Sequence, residues 1–313
     1  MKEYKKLSML LLAVISSITM MGQGSDYKTS DYNLMGYPKT LRYMKFESDT
    51  NIKTQRSSFI EDYQLTFNDN RLLTERVNYI NGQSDRHIKY EYDNKRHLSK
   101  ETLMEKDNKI VSIVNYTYNN IGRLASVNET EYPKSYGGAN RVIRNEVYTY
   151  NDKGLLIAKN VSSDNSYNNK DIKYYYGPQD SLISTVTTYG YNKNVDKVDY
   201  KRAFNNMTIE KTFIRNDKMT RRETYSWNDK FLMQTKEIYD SKNKKILTYT
   251  YTYDEMNNLT SEIAIDNKEV KTIEYYYKYE KDKFYNWTKC SMYDGDFLKY
   301  TEIRKFEYFD KEH

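Results

Sequence analysis

Few side chains in this 313-residue chain are of types that could do chemistry alone: three histidines (His87, His97, His313), one cysteine (Cys290), and carboxylates among 44 Asp and Glu. A metal centre needs His, Cys or carboxylates at matched ligand spacing, but His87 and His97 flank a Tyr-rich segment singly and His313 is terminal. Cys290 has no nearby His and sits in a strand-like stretch, so it reads as a buried, inert thiol rather than a nucleophile. Asp93 and Asp254 recur at turn positions, where a short carboxylate bonds backbone amides. That role differs from the facing pair of carboxylates used in acid–base hydrolysis. No Gly-rich phosphate loop, nucleophile elbow or zinc signature occurs. The sequence therefore predicts no catalytic residues, no metal and no cofactor, and the chain reads as non-enzymatic.

The elements around these residues are set by an internal repeat. The unit is aromatic, any residue, aromatic, Asp or Asn, then Leu five residues further on. Its clearest copies are Tyr116-Thr117-Tyr118-Asn119 with Gly122 and Leu124, Tyr148-Thr149-Tyr150-Asn151 with Gly154 and Leu156, and Tyr251-Thr252-Tyr253-Asp254 with Asn257 and Leu259. The second aromatic anchors the series Phe67, Tyr92, Tyr118, Tyr150, Tyr176, Trp227, Tyr253 and Tyr279, with spacings of 25, 26, 32, 26, 51, 26 and 26. Two residues before these anchors stand seven Tyr and Leu65; six residues after stand seven Leu or Met, and Tyr285. Gly177 and Glu280 are the exceptions to the Asp or Asn column. The interval of 51 contains a worn copy at Phe204-Asn205-Asn206 with Ile209, and the interval of 32 holds a longer loop near Pro133–Gly138. A half copy, Phe306, Tyr308 and Asp310, closes the series.

Along Tyr-x-Tyr both rings fall on one strand face, because side chains alternate with period two. The following Asp or Asn bonds turn amides, Gly or Asn three residues later accepts positive φ, and Leu starts the return strand. A second turn follows at Asn81-Gly82, Lys106–Asn108, Asp266-Asn267 or Asp294-Gly295. Each period of about 26 residues is one hairpin, giving nine to ten in all. A single hairpin is marginal in water, so the units must stack edge to edge. The predicted fold is all-β: a long, twisted, antiparallel, single-layer meander sheet with open edges; the alternative is a β-propeller with two hairpins per blade. Composition agrees: 35 Tyr, 11 Gly, 3 Pro and a mean hydropathy of −0.97 suit a thin, half-wet sheet better than a thick core.

The N-terminus predicts export. Lys2, Lys5 and Lys6 precede an apolar run from Leu7 to Met21, and Gly22 precedes Gln23, the layout of a signal peptide cleaved after Gly22. The run is short for a bilayer span, so no stable membrane insertion is expected after cleavage. The domains are then 1–22 signal peptide, 23–37 linker and 38–313 repeat domain. Loss of three lysines and one glutamate with the leader lowers the formal charge from +6 to +4. Cations and anions are interleaved without long blocks, which argues against nucleic acid as a partner. With one Cys, no internal disulfide is possible.

The segment Tyr116 to Leu124 resembles the YD repeat of RHS and teneurin-type proteins, Tyr-x-Tyr-Asp-x-x-Gly-Arg-Leu, with Asn119 in place of Asp and Gly122-Arg123-Leu124 intact. The likeness extends over about Pro38 to Asp310. The opening Pro38–Phe46 and closing Asn286-Trp287-Thr288-Lys289 are similar to short secreted YD-repeat proteins of Bacteroidetes. The resemblance implies an extracytoplasmic, single-sheet repeat protein, sometimes labelled sugar-binding. Full RHS proteins wrap a shell around a C-terminal toxin and end in an Arg-Tyr-Tyr-Asp-Pro-type core with a self-cleaving Asp. This sequence shows neither after Asp310, so encapsulation of a toxin is not expected. Two functions follow: a structural or protein-interaction module of the cell envelope or exterior, or a carbohydrate binder using exposed Tyr of the repeat sheet. The partner is accordingly a protein or an envelope glycan, and the location periplasmic, secreted or surface-associated.

Overall fold

The computed structural model describes residues 32, 34–47, 59–132, 140–203 and 206–310. The leader, its cleavage point, His313 and the insertion at Pro133–Gly138 lie outside these residues. Twenty strands follow one another: β1 (Pro38–Glu47), β2 (Phe59–Phe67), β3 (Leu73–Ile80), β4 (Gln83–Tyr92), β5 (Leu98–Glu105), β6 (Ile110–Tyr118), β7 (Leu124–Glu131), β8 (Arg141–Tyr150), β9 (Leu156–Ser163) and β10 (Lys170–Tyr176). The second half comprises β11 (Leu182–Tyr189), β12 (Val195–Arg202), β13 (Thr208–Arg215), β14 (Lys218–Trp227), β15 (Met233–Tyr239), β16 (Lys245–Tyr253), β17 (Leu259–Asp266), β18 (Lys271–Lys281), β19 (Trp287–Asp294) and β20 (Phe297–Tyr308). Each strand pairs antiparallel with its chain neighbours in one continuous sheet, so the propeller alternative is excluded.

The sheet is closed, which corrects the open-edged strip. β1 pairs with β2 on one side and β20 on the other, so Tyr43 faces both Tyr63 and Arg304. The register explains why. The line of partners Tyr90, Glu101, Val114, Glu129, Arg144 starts two residues before the end of β4, passes four before the end of β6 and reaches six before the end of β8. This stagger of about one residue per strand tilts the strands as a barrel requires. Closure satisfies the backbone groups that two free edges would leave unpaired.

The same slide decides which face is inside. Asp93 directs its N–H and C=O at β5, donating to His97 O and accepting from Arg96 N, so Tyr92 and Tyr90 direct theirs back at β3. For L-residues in a right-twisted sheet with this direction of slide, the Tyr-x-Tyr face is the concave one. Leu41, Leu65, Leu73 and Leu98 lie on it and are fully buried. The convex face carries polar rows such as Asp85, His87, Lys89 and Glu91 on β4, or Thr248, Thr250 and Thr252 on β16.

The turns follow the sequence logic closely. In the β4–β5 turn, Asp93 Oδ1 accepts from Lys95 N and His97 N, and Arg96 adopts φ +67°. The equivalent positions Arg71, Gly122, Gly154, Phe231, Asn257 and Tyr285 also have positive φ. Two copies depart from the regular pattern. In the worn copy, Phe204 and Asn205 lie outside the described residues; the strand-ending pair there is Arg202 with Thr208, 26 residues after the Tyr176 pair, which puts Arg202 at the anchor position. In the last copy, the pair is Lys281 with Trp287, and Asp282 rather than Glu280 forms the turn.

The anchors join successive repeats. Tyr92 Oη donates to Leu73 O (2.7 Å), Tyr118 to Leu98 O (2.8 Å), Tyr150 to Leu124 O (2.7 Å), and Tyr176 to Leu156 O (2.9 Å). Trp227 Nε1 reaches Thr208 O (2.8 Å), while Tyr253 and Tyr279 reach Met233 O and Leu259 O, both at 2.9 Å. Phe67 has no donor and packs edge-on against Tyr32. The aromatic column thus caps the carbonyl of the Leu, Met or Thr that begins the previous return strand. Tyr253→Phe should cost about 1 kcal/mol, because it leaves a half-buried carbonyl unpaired. A lower urea midpoint at unchanged slope is the expected reading; an unchanged midpoint would contradict the capping role.

Candidate binding surface on the inner wall

The eight anchors named from sequence form one end of the inner wall, with rings half-buried or buried and polar atoms largely committed to backbone. They do not converge on a ligand site. His97 Nδ1 lies 3.0 Å from Asp93 Oδ2 and its ring stacks on Tyr118, while His87 lies 3.5 Å from Glu75 on the outer face. Cys290 is buried between its cross-strand partners Tyr279 and Glu302, and burial pushes its thiol up to about 12. No cluster of three or more metal-ligating side chains occurs among the described residues.

Chemical variety is concentrated in a column that the sequence reading did not single out. Nine residues after most anchors, and after Arg202, the return strand presents an inward side chain directly opposite the ring two residues before that anchor. These pairs include Tyr90 with Glu101, Tyr148 with Lys159, Tyr200 with Lys211, Tyr225 with Lys236 and Tyr251 with Glu262. A near-constant Tyr therefore faces a residue that varies between acid, base and apolar. The period-two alternation could have located the column, but its variability gave no repeated letter to find.

Two charged clusters grow from it. The segments Arg144-Asn-Glu146-Val-Tyr148 and Arg221-Arg-Glu223-Thr-Tyr225 share one pattern. In the first, Tyr148 Oη donates to Glu146 (2.5 Å), Lys159 Nζ lies 2.8 Å from Glu146, and Arg144 Nε lies 3.2 Å from Glu129. Burial alone would raise the Glu146 carboxyl, but hydrogen bonds from Lys159 and Tyr148 hold it below the ordinary range. In the second, Tyr225 donates to Glu223, and Arg221 and Lys236 approach the same carboxylate at 3.1 and 3.3 Å.

Glu262, on the next odd strand, is 5% exposed. Burial pushes its carboxyl up to about 7, only partly opposed by Lys236. Its Oε1 and the Tyr251 hydroxyl opposite it have no hydrogen-bond partner among the described residues.

Exposed aromatics lie mainly at the rims and outside the columns. Tyr167, in a short 3-10 turn after β9, and Tyr191, between β11 and β12, are 59% and 58% exposed with ring centroids 3.8 Å apart. Beside them opens a groove of about 430 Å³ lined in part by Arg144, Glu146, Asn168 and Tyr189.

No family model and no curated protein matches the chain. Among solved structures it is similar to that titled TcdB2-TccC3-Cdc42 (11% identity, TM-score 0.30), covering 75% of this chain and 15% of that one. It is similar to a porin-like protein from Bacteroides uniformis ATCC 8492 (12% identity, TM-score 0.34, 88% and 99% covered). It is also similar to the Tc holotoxin pore of Photorhabdus luminescens with the TccC3 mutation D651A (9% identity, TM-score 0.28), spanning 80% of this chain but 22% of that one.

Proposed function

We propose that this chain is a non-enzymatic, exported repeat protein of YD (RHS-like) type, acting as a structural or protein-interaction module of the cell envelope or exterior. The observation carrying this reading is the use made of the repeat columns. Their rings and Leu side chains are consumed in joining each hairpin to the one before it, with anchor donors capping backbone from Leu73 through Leu259. What faces outward is a closed wall of alternating charges. Rows such as Lys197, Asp199, Lys201 and Glu274, Tyr276, Lys278, Glu280 suit water or a polar partner. Lipid contact would cost about 2–4 kcal/mol for each Lys or Arg near the bilayer midplane, so the cylinder is read as standing outside the bilayer.

The test is expression in a Bacteroidetes host with mass analysis of the purified product. Export requires a mature chain beginning near Gln23 in the periplasmic, surface or culture fraction. A full-length chain that sediments with membranes after alkaline washing would refute it.

A second reading, carbohydrate binding, is favoured by one feature: the exposed Tyr167–Tyr191 pair beside its polar groove. Amphipathic rings in the open suit contact with sugar faces; the buried Tyr columns do not. On a glycan array, this reading expects saturable binding that Tyr167→Ala abolishes and Tyr253→Phe preserves. Binding insensitive to Tyr167 and Tyr191, or none, removes it.

A further inference from the structure

We propose that the inner wall formed by β12 to β15 binds a tetrahedral oxyanion, a phosphate or sulfate group carried by a ligand. The two clusters described above occupy equivalent repeat positions, so each serves as a reference for the other. Around β6 to β9, the cations Arg144 and Lys159 are matched by Glu129 and Glu146. Around β12 to β15 the pattern keeps Arg221, Lys236 and Glu223, but three positions change in the same direction. Tyr118 is replaced by Arg202, Val127 by Lys211, and Glu129 by Phe213. One carboxylate is lost and two cations are gained, while Glu262, in the place of Thr185, comes within electrostatic reach of Lys236; a balanced cluster becomes four cations against two carboxylates.

The added cations make no close ion pair: Lys211 stands directly opposite Glu223 in the β13–β14 pairing but is not within ion-pair distance of it. Lys211 makes no ion pair or hydrogen bond among the described residues; its ammonium lies 5.9 and 5.6 Å from the ring centres of Tyr200 and Tyr225. Arg202 gives Nε to Leu182 O (3.2 Å) and Nη1 to Asn206 O (3.1 Å), both neutral acceptors. Burial lowers the affinity of Lys211 for its proton; Glu223 opposes this, while Lys236, Arg202 and Arg221 add to it. Like charges held together in a half-buried, aromatic-walled surface are unfavourable until an anion joins them. Arg and Lys donors supply the charge-assisted hydrogen bonds that phosphate and sulfate accept.

The test is calorimetric titration of the exported protein with inorganic phosphate and, separately, inorganic sulfate at low ionic strength, with sodium chloride at matched strength as reference. The proposal expects saturable binding of at least one of the two anions, weakened roughly tenfold or more in Lys211→Met. Comparing the two isotherms identifies the preferred group. Without anion, Lys211→Met should melt no lower than the parent, since it removes a desolvated cation on which Lys236, Arg202 and Arg221 crowd and which Glu223 offsets only in part. The outer-face variant Lys201→Met should bind as the parent does. Arg221→Gln, titrated in the same way, provides a second variant should Lys211→Met fold poorly. Absence of saturable binding to the parent, or unchanged affinity in whichever variant folds, overturns the proposal.

Discussion

Asn286→Ala is expected to lower the unfolding free energy by about 3 kcal/mol and to release the first strand before the rest of the cylinder. Asn286 is 3% exposed and lies in the turn between β18 and β19. Its Oδ1 accepts from Met35 N (2.7 Å), and its Nδ2 donates to Met35 O (2.9 Å) and Tyr308 Oη (2.8 Å). One amide, 251 residues along the chain from Met35, thus ties the segment entering β1 to the end of β20. Truncation removes all three bonds and leaves both polar groups of Met35 without that partner, each costing about 1–3 kcal/mol when shielded from water. Asn286→Asp keeps the acceptor but loses two donated bonds, so its cost should fall between those of the parent and Ala. Hydrogen exchange separates this role from general loosening: amides of β1 at Leu41 and Tyr43 should exchange faster, while those around Leu124 and Leu156 keep their protection. An unchanged urea midpoint together with unchanged β1 exchange would show that Asn286 does not hold the seam.

That seam marks the boundary of what the sequence reveals. Hairpins, their inward face and their turn chemistry are local, and repeated letters report them: Tyr-x-Tyr specifies a face, Asp93 or Asn119 a turn, and Gly122 or Asn257 a left-handed residue. Pairing of β1 with β20 joins segments that share no repeat column, so nothing local announces it. The two irregular copies have physical causes. Tyr275, Tyr277 and Tyr279 offer two equivalent anchor registers, and the chain turns at Asp282 because its short carboxylate reaches the amides of Phe284 and Asn286. Glu280, with a longer side chain, instead lies 2.7 Å from Lys289. In the worn copy, Arg202 fills the place of an aromatic by donating to Leu182 O, the carbonyl a Tyr hydroxyl would otherwise cap. Residue function survived there while residue type did not. The inward column nine residues after most anchors was hidden for the converse reason: its position repeats, but its chemistry differs from hairpin to hairpin.

Glu262 provides the largest pH effect expected from that column. Its carboxyl is moved from the ordinary 4.5 to about 7, chiefly because burial among Tyr251, Tyr275 and their neighbours penalises the charge, with Lys236 offering partial relief. The folded chain therefore holds this proton more tightly than the unfolded chain. Stability from Glu262 is greatest below about 4.5, declines as pH rises to about 7, and is flat above, when both states are ionised. The interval corresponds to about 3 kcal/mol. Glu146, Glu210, Glu237 and Asp254 act in the opposite sense, since net pairing and hydrogen bonding hold their carboxyls below the usual range and their support is lost on acidification. The signature of Glu262 is thus a difference between proteins rather than the shape of one curve. Glu262→Gln should match the parent near pH 4.5 and exceed it by up to about 3 kcal/mol at pH 8. Urea unfolding of both proteins across that range measures the gap. A gap that does not widen between pH 4.5 and 7 would mean that the carboxyl is already well solvated or paired in the folded chain.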